Sequence, residues 1–578
     1  MRRRVQALAT LFVALASLLT PLYPAVAPAQ QPAPFPATQL RVVPSQLAAQ
    51  PSEFRAQPGT TISILDRSAE IDRLLRDGRR MERDRRWGEA LSHYEDALRR
   101  YPGEDLLHRR FDETRLHYDL SRRYDDRTFR EKVARLPFDA AVDLYGEVLL
   151  KVQTHYVEAP HFSELLEDGA HALEVALKED RFAAEHLSGV GSGSVERFVV
   201  EMWRQLSARN VRTRLDATDA ASEVAQLAQS RLGCPATAAL LEFLCGATNT
   251  LDAYSAYLTP GQLNEVYAQI EGNFVGLGVE LKADDGNLLI VRVIPGSPAQ
   301  KAGVLAGDRI VAVDGKSTAE MTTDQAADLL QGEEGSRVRL SVATPGQRPR
   351  TLDIRRVHVD VPSIDQVKML DPVNGVGYFR LTCFQKTTAA DLDAALWRLH
   401  RQGMRRLIID LRGNPGGLLV TAVEVVDKFV PQGVIVSTRG RAAQEDFTYT
   451  ANAPGTWRVP LVVLIDGDSA SAAEIFAGAI RDHRRGTVVG ERSYGKGSVQ
   501  GIFPLSTAET GIRLTTAKFY SPAGHPYSHV GVDPDVRVHT AARPIHGQVS
   551  IRTAESDPIL AAGLEAARRA SMPRWAAR

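Results

Sequence analysis

Residues 461–500 read LVVLIDGDSASAAEIFAGAIRDHRRGTVVGERSYGKGSVQ. Val462 to Ile465 are β-rich and apolar in succession, which predicts a short buried strand. Asp466-Gly467-Asp468 predicts a turn, and Ser469 to Ile480 a helix of small residues. A serine at such a turn is either an ordinary N-cap or a nucleophile presented over a sheet. Position alone leaves both readings open for Ser469 and Ser471. Val488 to Glu491 predicts a second strand, and Ser493 to Ser498 a glycine-rich turn holding one cation, Lys496. If that turn folds back over the helix start, the amine meets the serine hydroxyl. Serine needs a base at neutral pH, and lysine is an alternative to histidine.

The stretch resembles the catalytic segment of the C-terminal processing, or tail-specific, proteases, which use a Ser-Lys dyad. Their S-A-S-A-x-E pattern matches Ser469-Ala470-Ser471-Ala472-Ala473-Glu474, and their F/Y-G-K-G-S/T-V-Q pattern matches Tyr494 to Gln500. The resemblance implies Ser471 as nucleophile, Lys496 as base 25 positions further on, and Gln500 as an accessory residue orienting the lysine. Upstream, Leu407 to Asp410 predicts a buried strand. It ends in Leu411-Arg412-Gly413-Asn414-Pro415-Gly416-Gly417, which matches the family's D-L-R-x-N-x-G-G. Glycines at a strand end expose backbone N–H groups, as an oxyanion hole requires. The family implies the Gly416 and Ala472 amides as its donors. Arg513 to Tyr520 and Gly531 to Val536 match the family's closing strand and its G-I-x-P-D-V.

From about Gly272 the pattern turns to strands and glycine turns. Gly276-Leu277-Gly278-Val279, Gly296-Ser297-Pro298-Ala299 and Gly307 to Gly315, with a helix expected from Thr323 to Gln331 and a strand near Val338 to Val342, resemble a PDZ domain. PDZ domains add a peptide as an extra strand and hold its carboxylate on backbone N–H groups. The Gly276 to Val279 loop is the expected substrate-binding segment. Leu251 to Leu258, LDAYSAYL, resembles the family's LDPHSxYL-type segment. Between Val157 and Leu251 lies an insertion with a flexible break expected at Gly189 to Ser194.

The chain has 578 residues, which favours several domains. Lys+Arg and Asp+Glu balance at 70 each, so net charge makes no case for nucleic acid or an anionic membrane as partner. Met1-Arg2-Arg3-Arg4, an apolar stretch to about Leu22 and small-residue sites at Ala25 to Ala29 have the form of a secretory signal. Retention of that segment is the expected route to any membrane attachment. Cys234 and Cys245 lie close together, and an exported protein can oxidise such a pair; two buried free thiols fit as well. Trp87 to Pro102 resembles one tetratricopeptide helix pair, which cannot bury its face alone. Docking on neighbouring helices, self-association or an adaptor are its open roles.

The expected organisation is multidomain α+β and α/β: a signal peptide (1–29), a Pro/Ala/Gln linker (30–61), a helical segment (62–135), N-terminal protease helices (136–268), an inserted PDZ domain of β-barrel-like form (269–345), a crotonase/ClpP-like catalytic core (346–541) and a peripheral C-terminal tail (542–578). The expected activity is that of an exported, periplasmic or cell-envelope serine endopeptidase acting on proteins with free C-termini. No metal or cofactor is implied, since neither HExxH nor paired Cys-x-x-Cys occurs. The rivals are a non-catalytic PDZ and helical scaffold, a Ser-His hydrolase of the same fold using His483 or His525, and a crotonase-like acyl-CoA enzyme.

Overall fold

The computed structural model describes residues 64–284, 287–319, 329–452, 456–539 and 557–570. The expected signal, the linker and most of the expected Thr323 to Gln331 helix lie outside these residues. Ser68–Arg578 form a unit apart from residues 1–67.

The part after the inserted domain is built on a six-stranded sheet in the order Ile364–Asp371, Val376–Leu381, Arg406–Asp410, Leu461–Ile465, Thr487–Gly490, Val536–Arg537. The first pair is antiparallel and the rest are parallel. Every residue of Leu461–Ile465 is buried. Alternate side chains go to opposite faces of a strand. Val463 and Ile465 therefore join the core under helices Thr388–Arg401, Leu419–Asp427 and Ala472–Asp482. Val462 and Leu464 meet Ile559, Leu560 and Ala567 on the other face.

That second face corrects the expectation of a peripheral tail. Helix Pro558–Arg569 covers the back of the sheet. Asp557, at its N-cap, accepts two hydrogen bonds from Arg412 at 2.7 and 2.8 Å. Sequence reading missed this helix because a short amphipathic segment behind a long polar stretch carries no motif.

A second sheet of five strands runs Ala256–Leu258, Gly511–Tyr520, Gly433–Gly440, Phe447–Ala451, with Ser498–Pro504 also paired to Gly511–Tyr520. Gly511–Tyr520 thus ties the LDAYSAYL segment to the strand that follows Lys496.

The inserted domain is a sheet of Val279–Asp284, Asn287–Val293, Arg309–Val313, Arg337–Ala343 and Arg350–Arg355, with Lys316–Ser317 on Arg309–Val313. Arg350–Arg355 pairs along Arg337–Ala343, so the domain extends past the expected boundary at 345. The Pro345-Gly346 turn there is a hairpin, not a domain end. Entry and exit strands Asn273–Gly276 and Val357–Asp360 pair with each other.

Seven α-helices from Asp105–Asp125 to Ala236–Asn249, with a π-turn at Phe129–Val133, among the described residues, precede this domain. They share one core with Ile512 and Leu514, and helix Ala236–Asn249 is buried on all sides. The expected break at Gly189 to Ser194 is shorter than expected, because helix Ser192–Ser207 begins within it. Cys234 and Cys245 are buried and unpaired. In the first helices, Ala90, Tyr94 and Ala97 recur on one helical face and pack on Ile71, Leu74, Leu75 and Leu107. A Cβ at Gly78 would lie 2.2 Å from the Tyr94 ring, so glycine is needed for that approach. The pair docks on helix Asp105–Asp125, where Glu82 accepts hydrogen bonds from Tyr94 at 2.9 Å and Thr114 at 3.1 Å.

Candidate active site

The two serines of the turn have different surroundings. Ser469 is fully buried, donates its hydroxyl to Leu411 O at 2.9 Å and accepts from Asp466 N at 3.0 Å. It is part of the stitching between two strand ends, along with Gly413 N to Asp466 Oδ1 at 2.9 Å and Ala470 N to Asn414 O at 2.9 Å. Ser471 is half-buried and stands at the start of helix Ala472–Asp482 with φ 55° and ψ −116°. Such a conformation costs a non-glycine residue on the order of 1–3 kcal/mol and persists only where its surroundings hold it. This is the sharp strand-to-helix turn that lifts a side chain off a sheet.

Glu474 holds it. The carboxylate is fully buried and accepts from Ser471 N at 2.7 Å, Ser493 Oγ at 2.6 Å, Gly495 N at 2.7 Å and Lys496 N at 2.9 Å. One side chain thereby clasps the Ser471 turn to the lysine loop. Burial pushes its carboxyl up to about 7, against four donors that favour the ionised form. Glu474 sits inside the quoted S-A-S-A-x-E run, but its role was not legible there, because the partners that define it come from the next loop.

Burial, and then the charge of Arg513, bring the Lys496 ammonium down to about 8, with Glu474 and Asp252 opposing. At that value roughly a tenth of the amine is neutral at pH 7, compared with about one in a few thousand at the ordinary lysine pKa. The ammonium lies 4.5 Å from the centre of the Tyr254 ring. Among the described residues nothing hydrogen-bonds it, Ser471 Oγ included. Tyr254 stands where the family's LDPHSxYL-type motif has histidine. Arg513 Nε donates to Tyr254 O at 2.7 Å, and Asp252 Oδ1 accepts from Tyr254 N at 2.6 Å and Ser255 N at 2.7 Å.

Two expected partners are turned elsewhere. Gln500 Nε2 donates to Ser498 O at 3.1 Å and Ser498 Oγ at 2.9 Å, not to Lys496. A glutamine on a strand has its own chain within reach, and that local bond wins in this state. Gly416 does approach Ser471: a Cβ there would lie 2.7 Å from Ser471 Cβ and 3.0 Å from Ala472 N. Its N–H, however, donates to Asn414 Oδ1 at 2.8 Å. Ala472 N, at the helix start, belongs to the N–H groups that a helix leaves without an internal acceptor.

His483 occupies the far end of the same helix, roughly 16 Å along its axis at 1.5 Å per residue. Its Nε2 donates to Val434 O at 2.7 Å, so it is not placed as a base for Ser471. In the inserted domain Gly278 has φ +80°, and a Cβ there would lie 2.3 Å from Ser297 Cβ; Ala299 N donates to Leu277 O and Ile294 N to Gly278 O, each at 2.9 Å. Gly276 and Leu277 are buried, and Val279 opens the first strand of the domain. The Leu277 side chain belongs to the domain core.

A family model for peptidase family S41 matches residues 375–538, and one for the PDZ domain matches residues 289–344. The chain is similar to a carboxy-terminal-processing protease of Bartonella bacilliformis, 40% identical over 300 residues, which are 51% of this chain and 68% of that protein. It is also similar to a carboxyl-terminal-processing protease of Synechocystis sp., 35% identical over 291 residues, 50% of this chain and 68% of that one. Among solved structures, the photosystem II D1 C-terminal processing protease aligns over 69% of this chain and 93% of its own, at 28% identity and a TM-score of 0.36. On the strength of the sequence relatives, the chain belongs to the carboxy-terminal-processing proteases of peptidase family S41, with a PDZ domain inserted before its peptidase core.

Proposed function

We propose that this chain is an exported serine endopeptidase that cleaves proteins at or near their C-termini through a Ser471–Lys496 dyad. The observation that carries this reading is the Glu474 clasp. It joins a serine in a strained turn to a loop whose lysine is pushed down to about 8. Neutral Lys496 takes the Ser471 hydroxyl proton as Oγ bonds to the scissile carbonyl carbon. The oxyanion falls to the Ala472 N–H, joined by Gly416 N–H once that amide leaves Asn414. The C–N bond then breaks, and Lys496 returns the proton to the leaving amine. Water, deprotonated by neutral Lys496, releases the acyl group, and the lysine returns that proton to Ser471 Oγ.

A covalent serine-directed probe tests this. Wild type should label at Ser471, while Lys496→Ala and Ser471→Ala should not. Labelling of Lys496→Ala at the wild-type rate would remove lysine from the mechanism.

The inserted PDZ domain supports recognition of a substrate tail, with an apolar C-terminus added beside the strand after Gly278. Amidating that terminus, or adding a charged last residue, should slow cleavage; equal rates for free and amidated substrates would sink tail recognition. Two modes fit: tethering, and a population shift in which tail binding completes the dyad. The missing Ser471–Lys496 bond and the occupied Gly416 N–H favour the second. Export rests on the N-terminal segment, and sequencing the mature N-terminus near Gln30 tests it.

A further inference from the structure

The backbone of Lys496 is fixed by Glu474, and its amine lies over the face of Tyr254. The amine is therefore placed by the loop that carries it. Tyr494, two residues before the lysine, donates its N–H to Ser469 O at 3.0 Å. Tyr494 also donates its hydroxyl to Glu95 Oε1 at 2.9 Å. Arg99, one turn along the same helix and 3.2 Å from Glu95, lies over the Tyr494 ring at 4.7 Å. Arg99 also reaches Asp468 Oδ1 at 3.4 Å, in the turn that leads to Ser471. Glu95 and Arg99 belong to helix Trp87–Arg100, outside both family-model matches. One helix of the N-terminal pair thus touches both loops of the site.

We infer that Glu95 is a positioning residue for the peptidase reaction, acting through Tyr494 to hold the loop that carries Lys496, with Arg99 bracing the same ring. The N-terminal helix pair is then a built-in part of the active site and not only a docking or self-association surface. Glu95 touches neither substrate nor reacting atoms. Its contribution is to narrow the volume that the amine samples, and misplacement of about 1 Å can cost up to about a hundredfold in rate. The inference rests on the Ser-Lys reading above.

The test uses the full chain and a peptide substrate with a free apolar C-terminus. Glu95→Ala and Tyr494→Phe should each lower kcat about tenfold and leave KM within about twofold, as loss of alignment without loss of binding requires. Glu95→Gln, whose amide oxygen still accepts from Tyr494, should recover most of the rate. The double variant Glu95→Ala/Tyr494→Phe should be no slower than the worse single one, because both cut one chain. Tyr494→Phe removes a single hydroxyl and keeps the test usable if Glu95→Ala disturbs the helix pair. Unchanged or raised kcat in both single variants would overturn the inference, a rise marking the helix as a brake. Lys496→Ala is the control: if it retained turnover, the dyad reading itself would fall. If it were inactive while Glu95→Ala and Tyr494→Phe were silent, only the role of Glu95 would.

Discussion

The Ser471 side and the Lys496 side of the candidate site are built in different ways. Ser471 is placed by consecutive chain: one strand, one turn and one helix, with Ser469 stitching the turn to the neighbouring strand end. Lys496 is placed by parts remote in sequence: Glu474 for its backbone, Tyr254 and Arg513 around its amine, and Glu95 behind Tyr494. Local geometry is enough to aim a hydroxyl. Shifting a lysine's pKa needs burial and charge, which only packing of several elements supplies.

The largest expected break is removal of either reacting group. Ser471→Ala and Lys496→Ala should each lower kcat by more than about a thousandfold with the fold intact. Ser469→Ala should keep the nucleophile but lose stability by about 1–3 kcal/mol, since its buried partners Leu411 O and Asp466 N are left unpaired. Thermal melts alongside active-site titration separate the two serines.

Glu474→Gln attacks the clasp that joins the two sides. An amide presents N–H where the structure has donors, so at least one of the four bonds is lost and two donors face each other. We expect a fall of about a hundredfold in kcat and a loss of about 2–3 kcal/mol of stability. Near-normal values of both would mean that the clasp is dispensable.

Tail handling should respond more weakly. Gly278→Ala strains a positive-φ position and drives a methyl group into Ser297. Cleavage of long substrates with apolar tails should drop about tenfold relative to wild type, by weakened binding in the PDZ groove. A short peptide at saturation should be cut normally under tethering and poorly under a population shift.

The smallest effect sharpens the base side alone. In the proposed dyad the neutral amine is the active form, so kcat/KM should rise with pH through about 8. Arg513 lowers the Lys496 pKa, so Arg513→Gln should move that rise to higher pH. A shift to lower pH would contradict the assigned sign.

Much of the catalytic part was legible in the chain. The apolar run Val462 to Ile465, the D-L-R-G-N-P-G-G strand end, the PDZ glycine turns and the order of both dyad motifs follow from short-range chemistry: strand period, turn residues and spacing. Less was legible where partners come from afar. Gln500 and Gly416 carry motif roles, yet here they bond Ser498 and Asn414, because neighbouring chain competes for the same polar groups. The tail read as peripheral is a layer of the sheet, held by Asp557 on Arg412, and the PDZ sheet runs on to Arg355.

The sequence by itself determined which residues are candidates for the chemistry and in what order, since each motif is a local demand on backbone and side-chain type. Only the tertiary structure decided which serine is free to react, where the lysine's charge is paid down, and that helix Trp87–Arg100 reaches the site through Glu95 and Tyr494. Burial, pKa and hydrogen-bond partnership belong to groups brought together across hundreds of residues, and no local pattern records them.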